Sequence, residues 1–413
     1  MKNYICEVKI IQNLKLVGGE TLKENIAFII PALTGGGAER VVANLTKGIS
    51  DDYEKYIVIY HDTENMYEHN GNIINLNIGS SNNLIGKAFN TIRRIIALKK
   101  FKNKYKIDKC ISFLDNPNTI NVLSRSNERL FVSIRNHQSK EFNGITKKLH
   151  TLIVKNIYAK ANKIIAISQG VKLDLIENFH IDPKKIEIIY NPVDIERISK
   201  LREDVLEERH QTIYKNPTII TVGRLTYQKG QWHLIRSFKK VVEKIPNAQL
   251  IILGTGSLEK KLKTLINDLG LSKNVHLIGF QENPFKFIYN ADLFILPSLF
   301  EGLGNVILEA MACGTPIIST DCKSGPREIL APSTSLNTEI DKFTIEEYGI
   351  LTPVFKGGIL DSKHQVVPEE TTLSEAMVLL LKDDKLRDEL KNKSNKRVNE
   401  FSFKNISKKW LDL

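Results

Sequence analysis

Glu301 and Glu309, with seven residues between them, bracket the segment of this chain best suited to chemistry. The run Leu293-Phe-Ile-Leu296 leads into Pro297-Ser-Leu-Phe-Glu301-Gly-Leu-Gly-Asn305, and an apolar helix then runs to about Cys313, where Gly314 ends it. Gly302, Leu303 and Gly304 let backbone amides approach a ligand closely, Asn305 is suited to N-cap the helix, and a helix N-terminus favours an anion. Together they point to a phosphate site. Acids beside a phosphate cradle are awkward unless they bind something else, and sugar hydroxyls fit. Glu309 sits within Val-Ile-Leu-Glu-Ala-Met-Ala, where an unpaired charge is costly, so a plain solvent-facing role is the weaker alternative. Arg224 and Lys229, in Gly223-Arg-Leu and Lys229-Gly230, also follow a strand end and precede a helix. Arginine offers phosphate a bidentate fork and lysine a compact charge, although lone cations in such places are usually only solvated.

The elements that must position these residues alternate. Ile26–Ile30 is a continuous apolar run, as expected of a parallel strand buried on both faces. Strand patterns recur at Tyr56–Tyr60, Cys110–Phe113, Leu130–Ile134 and Lys163–Ile167, with helical patterns between them. After a highly charged stretch the rhythm restarts at Thr218–Val222, Ala248–Leu253, Val275–Leu277, Leu293–Leu296 and Pro316–Ser319. The expected architecture is α/β, with two doubly wound domains facing a deep cleft, because ligands of open α/β sheets bind outside the carboxyl ends of the strands. Residues 25–200 are expected to form the first domain, 201–216 a linker and 217–383 the second. Residues 1–24 would be an N-terminal extension and 384–413 a helical tail.

The combination Gly223-Arg-Leu, Lys229-Gly230, Gly254-Thr-Gly256 and Val275-His-Leu-Ile-Gly279-Phe280 continues with Ala291-Asp292, Pro297-Ser298, Glu301-Gly-Leu-Gly304-Asn305, Glu309 and Ala312-Cys-Gly-Thr-Pro316. Covering roughly residues 218–330, it resembles the family 4 glycosyltransferases, retaining enzymes with two Rossmann-like domains in the architecture called GT-B, among them bacterial surface-polysaccharide enzymes. The resemblance implies that Arg224 and Lys229 grip a donor diphosphate and that Glu309 binds the ribose hydroxyls. It further implies that Glu301 contacts the transferred sugar with the backbone from Gly302 to Asn305, that Phe280 lies near the base, and that Gly254 lines the same site. In the first half, Gly35-Gly36-Gly37-Ala-Glu39-Arg40 resembles the family's glycine loop, with Gly36 and Gly37 approaching the donor phosphate. Arg40 in the last position rules out the Gly-x-Gly-x-x-Gly dinucleotide pattern. Ser133-Ile-Arg135-Asn136-His137 follows a strand where the family often has a histidine near the sugar, so Arg135 or His137 would join Glu301 as a catalytic residue. Asp115 and Asn116 either line the acceptor site or form a turn.

Transfer would pass through an oxocarbenium-like state with charge building on the leaving phosphate. Arg224, Lys229 and the helix end at Asn305 could stabilise that anion without a metal, and there is no Asp-x-Asp motif. The expectation is a metal-independent, cofactor-free transfer of a hexose or N-acetylhexosamine from a nucleotide-diphosphate sugar, a UDP-sugar by preference, to a glycan or polyprenol-linked acceptor. Two alternatives are a sugar-nucleotide 2-epimerase of the same architecture and a non-catalytic nucleotide-sugar-binding subunit.

The net charge of +12 asks for an anionic partner. Between Lys87 and Lys109, Asp108 is the only acid among many cations, and Ile92, Ile95, Ile96 and Phe101 alternate with Arg93, Arg94, Lys99 and Lys100. This reads either as a solvated surface helix or as a contact with an anionic membrane surface through residues 87–109. Nucleic acid is not expected, because no aromatic residues interleave with the charges in a stacking pattern. The four scattered cysteines suit a reducing cytoplasm, with a peripheral place on the inner face of the cell membrane if the helix binds lipid.

Overall fold

The computed structural model describes residues 15–17, 20–34, 36–61, 67–81, 83–141, 144–357, 360–363 and 365–413. Gly35 and residues 1–14 of the expected extension lie outside them, while Lys15–Val17 and Glu20–Leu22 pair antiparallel. Two compact units emerge. The first comprises Met1–Ile134, Lys148–Ile165 and Ile181–Glu187, and the second Arg135–Lys147, Ala166–His180 and Ile188–Leu413.

The first unit is built on a seven-stranded sheet. Its strands are β1 (Glu24–Ile29), β2 (Tyr53–Ile59), β3 (Asn72–Asn75), β4 (Lys109–Phe113), β5 (Arg129–Ile134), β6 (Lys163–Ala166) and β7 (Ile186–Ile188), in the order β3-β2-β1-β4-β5-β6-β7. That is the doubly wound order, with β1 parallel to both β2 and β4. Ile26 to Ile29 are fully buried, which explains the unbroken apolar run. Helices α1 (Gly37–Gly48), α2 (Leu84–Lys104) and α3 (Asp115–Leu123) belong to this unit. Leu98 and Phe101 of α2 pack into a core with Ala27, Ile29, Val58, Tyr60 and Ile120. Lys102 on the same helix is buried too, held 2.7 Å from the Glu128 carboxylate and 2.8 Å from Asn121 Oδ1.

The second unit repeats the plan. Strands β8 (Thr218–Val222), β9 (Gln249–Leu253), β10 (Val275–Gly279), β11 (Leu293–Leu296), β12 (Ile317–Thr320), β13 (Thr344–Ile345) and β14 (Ile350–Thr352) lie in the order β10-β9-β8-β11-β12-β14-β13. All neighbours are parallel except the short β13/β14 pair. The helices of this unit include α4 (Gln169–Phe179), α5 (Ile195–Leu201), α6 (Gln231–Lys244), α7 (Asn305–Cys313), α8 (Pro368–Lys382), α9 (Asp384–Arg397) and α10 (Phe403–Leu411). Residues 201–216 hold the short helix Glu208–Gln211 and a 3-10 turn. Trp232, Leu234 and Phe238 of α6 fill the core with Ile252, Ile295, Met377 and Leu380. A buried polar clasp joins α6 to α8, in which Glu370 accepts from His233 Nδ1 at 2.7 Å and Arg236 Nε at 2.8 Å. The two donors hold the Glu370 carboxyl below its usual range against the opposing effect of burial. In the tail, Trp410 is buried, and Val193 bridges Ser402.

Candidate active site

In the second sheet β8 lies between β9 and β11, and chain order reverses at β8/β11, where Ile219 pairs with Leu293. Such a switch point opens a crevice beyond the strand ends. The loop after β8 carries Arg224 and Lys229, and the loop after β11 carries Glu301. The two loops are stitched together, because Leu299 N–H donates to Gln228 O at 2.8 Å and Gln228 Nε2 to Phe300 O at 3.0 Å. Residues 72 positions apart thereby meet, and Lys229 Nζ lies 2.5 Å from Glu301 Oε1. Ser298 Oγ donates to the same oxygen at 2.6 Å. Ser324 Oγ props the Glu301 carbonyl at 2.6 Å. Arg224 stays exposed, with no ion pair among the described residues.

Backbone proximity explains two glycines. Gly254, at φ +130°, has a backbone conformation that side chains rarely adopt, and a Cβ there would lie 2.1 Å from Gly223 O. Its N–H donates to Gly279 O at 2.8 Å, so the loops after β8, β9 and β10 run side by side. The next residue, Phe280, is 62% exposed, which leaves an aromatic face beside them. At Gly302 a Cβ would come within 2.3 Å of Arg135 O.

The start of α7 differs from the sequence-based expectation. Gly304, at φ +80°, occupies the N-cap position, and Asn305 is the first helical residue. Its side chain is free to do something else, and Asn305 Oδ1 accepts from Asn191 Nδ2 at 2.6 Å. Asn191 Oδ1 in turn accepts from Arg135 Nη2. Arg135 is buried, and burial pushes its guanidinium down to about 9. Glu309 is only 9% exposed, so it is not the solvated helix residue of the plainer alternative. Leu303, in the loop before α7, is buried.

His137 and Arg135 have separate surroundings. His137 Nδ1 stands 3.3 Å from Asp174 Oδ2 and 3.2 Å from Ser139 Oγ, and the same Asp174 oxygen accepts from Ser139 N–H at 3.1 Å. A carboxylate on Nδ1 fixes the ring and turns Nε2 away from it. In the first unit, Gly36 precedes α1 and Gly37 opens it, and the Glu39 carboxylate accepts from Gly36 N–H. Asp115 opens α3 after Leu114, whose φ of +76° is unusual for a branched side chain. Burial pushes the Asp115 carboxyl up to about 6, although Tyr158 donates to it. A cavity of about 560 Å³ lies at the other end of this sheet, lined by Glu24, Lys106, Asp108 and Arg129, away from the strand ends that bind ligands in such folds.

No cluster of three or more potential metal-ligating side chains occurs among the described residues, and no helix there is long and apolar enough to cross a membrane.

Sequence comparison joins this geometry to known proteins. Residues 35–197 match the Glycosyltransferase Family 4 profile and residues 203–339 the Glycosyl transferases group 1 profile. An uncharacterized glycosyltransferase of Methanocaldococcus jannaschii is 36% identical over 352 residues, 82% of this chain and 86% of the relative. The chain belongs to glycosyltransferase family 4. A second relative of this glycosyltransferase is the N-acetylgalactosamine-N,N'-diacetylbacillosaminyl-diphospho-undecaprenol 4-alpha-N-acetylgalactosaminyltransferase of Campylobacter jejuni. It is 31% identical over 396 residues, 93% of this chain and 98% of the relative. The fold is GT-B. Anabaena HepE, solved with UDP and glucose, superposes with a TM-score of 0.70 at 19% identity over 94% of this chain and 98% of that one.

Of the side chains that brace the candidate site, Asp174 was not legible in the sequence. Asp174 is an ordinary acid in an ordinary amphipathic helix, and nothing in the sequence marks it. Asn191 carried a signal, the Asn191-Pro192 dipeptide before α5. Glu328 lies in Ser324-Gly-Pro-Arg-Glu-Ile329, and its carboxylate accepts from Gly170 N–H at 2.9 Å, Gln169 N–H at 2.6 Å and Tyr190 Oη at 3.1 Å.

Proposed function

We propose that this glycosyltransferase, which acts in polysaccharide or glycolipid synthesis with a nucleotide-sugar donor, moves a hexose or N-acetylhexosamine from UDP to a lipid-linked or glycan acceptor with retention of configuration. The observation that carries the reading is the convergence of Lys229, Glu301 and the start of α7 at the β8/β11 switch point. Lys229 and Arg224 take the diphosphate together with the α7 N-terminus, whose backbone amides favour an anion. Glu309 holds the ribose hydroxyls, Phe280 stacks on the base, and Glu301 meets the transferred sugar once the phosphate draws Lys229 away from it. His137, oriented by Asp174, contacts the sugar, and buried Arg135 supports the site through Asn191. The relative from Campylobacter jejuni, whose name specifies an undecaprenol diphosphate acceptor, and UDP-bound HepE support the choice of acceptor and nucleotide.

In the reaction the acceptor oxygen bonds to the anomeric carbon on the face from which UDP departs. The bond from that carbon to the β-phosphate oxygen breaks, and the acceptor proton passes to that oxygen. Lys229, Arg224 and the helix end supply positive charge where the anion forms, so no metal is assigned a part. Thermal shift with UDP, GDP and ADP tests the base, and UDP alone should raise the melting temperature. Proton NMR of the product tests the stereochemistry, and an inverted anomeric centre would overturn the retaining assignment.

The acceptor reading extends to a membrane surface. Ile85, Phe89, Ile92 and Ile96 fall on one stripe of α2 and are exposed along with Leu84. The stripe lies opposite the face that Leu98 and Phe101 bury, and exposed Arg93, Lys99, Lys100 and Lys104 flank it. An apolar stripe edged with cations suits an anionic bilayer, to which each cation adds about 1 kcal/mol near the surface. The sequence-based expectation combined Ile92, Ile95, Ile96 and Phe101, but Phe101 belongs to the core and Ile95 packs against it.

A further inference from the structure

Arginine can only donate hydrogen bonds, and this fixes the direction of every bond that follows from Arg135. Its Nη2 donates to Asn191 Oδ1, so the Asn191 amide must turn its nitrogen the other way. There Asn191 Nδ2 donates to Asn305 Oδ1 at 2.6 Å. With its oxygen taken, Asn305 is left with Nδ2, which has no acceptor among the described residues. Arg135 and Asn191 are buried, whereas Asn305 is half-buried at the first position of α7. The polarity therefore runs one way, from a buried cation through two amides to a donor at a helix N-terminus.

We propose that Arg135, Asn191 and Asn305 form a one-way relay that presents the Asn305 amide N–H to the donor diphosphate, with Arg135 and Asn191 as positioning residues. This rests on the assignment of the α7 N-terminus to the diphosphate. A helix N-terminus already favours an anion, and a side chain there whose oxygen faced outward would oppose it. The relay removes that possibility. The buried charge of Arg135 polarises the chain, because hydrogen bonds in series strengthen one another in a low-dielectric interior.

Asn191→Asp tests the direction. The new carboxylate still accepts from Arg135 but cannot donate, so Asn305 must rotate and turn its oxygen to the diphosphate. Asn305→Asp puts an anionic oxygen in the same place without touching Asn191. Calorimetry with UDP and with uridine reads the outcome. Both variants should weaken UDP ten- to hundred-fold, leave uridine within about two-fold and keep the melting temperature of the parent. The KM for the donor should rise while that for the acceptor holds. If UDP and uridine weaken alike, the residues only hold the fold together and the relay is wrong. Lys229→Met serves as the control for the site itself. If it weakens UDP while both relay variants bind UDP normally, the relay fails alone; if it too leaves UDP binding intact, the diphosphate assignment fails.

Discussion

Replacing Lys229 with methionine should separate its ion pair with Glu301 from its proposed hold on the donor diphosphate. Lys229 is 16% exposed and its partner Glu301 7% exposed, at 2.5 Å. Breaking a fully buried ion pair by removing one partner costs about 3–5 kcal/mol. Here the lysine keeps some solvent, and Ser298 still donates to the orphaned carboxylate, so a loss of about 2–3 kcal/mol is the reasonable figure. At about 2–4 °C per kcal/mol for a unit of this size, the melting temperature should fall by several degrees. The double variant Lys229→Met with Glu301→Gln leaves no buried charge, and Ser298 can donate to the amide oxygen. It should regain most of the lost stability, giving a coupling energy of about 1.5–2 kcal/mol in a double-mutant cycle. UDP affinity should behave differently. Loss of a charged contact to phosphate is worth about 1.5–3 kcal/mol, or roughly 10- to 150-fold in Kd, and the double variant should not recover it. Calorimetric titration with UDP beside thermal melts measures both. A Lys229→Met protein that melts early yet binds UDP as tightly as the parent would refute the assignment, since the lysine would then be a structural ion pair only.

Other perturbations probe the surroundings. Glu370→Ala leaves buried Arg236 and His233 without their carboxylate, and urea titration should show a loss of about 3–5 kcal/mol; less than about 1 would mean that the clasp contributes little. Asp115 binds its proton more tightly folded than unfolded, so it costs stability as pH rises from 3.8 through about 6. That interval is worth about 3 kcal/mol at full burial, but the side chain is 34% exposed, with His150 Nε2 3.9 Å away, and about 1 kcal/mol is the discounted value. Asp115→Asn should be more stable than the parent by that amount at pH 7.5 and equal to it near pH 4; a constant difference across the range would contradict the burial argument. Ile85→Ser with Phe89→Ser should abolish flotation with anionic vesicles while leaving the melting temperature unchanged, because both side chains are exposed. Undiminished flotation would remove α2 from the membrane contact.

What the sequence revealed follows from where the information lies. Strands buried on both faces announce themselves as apolar runs, and β8 and β11 coincide with their predicted limits, while β1 and β4 begin one or two residues earlier than expected. Strand β3, Asn-Ile-Ile-Asn, is half-exposed and bounded by turn-forming residues, and β7 has three residues with a glutamate between its isoleucines. Neither carries an apolar run. The loops after β8 and β11 were legible because glycines, acids and cations cluster after strand ends. Their union was not, since Lys229 meets Glu301 only once β8 lies beside β11, and strand order is a property of the whole sheet. The capping position shifted by one residue because Gly304 adopts a left-handed backbone and frees the Asn305 side chain for Asn191. The helical wheel of α2 shows two apolar faces, and only packing tells which one the core takes.

Transfer itself is the most direct test. Purified protein would be incubated with UDP-hexoses and UDP-N-acetylhexosamines, each with a membrane extract containing polyprenyl-diphosphate-linked glycans, and the lipids analysed by mass spectrometry. With one of these donors, UDP should appear one for one with a lipid-linked glycan heavier by a single sugar. A chain that binds UDP but adds no mass to any lipid or glycan, or that only isomerises the donor sugar, would contradict the account.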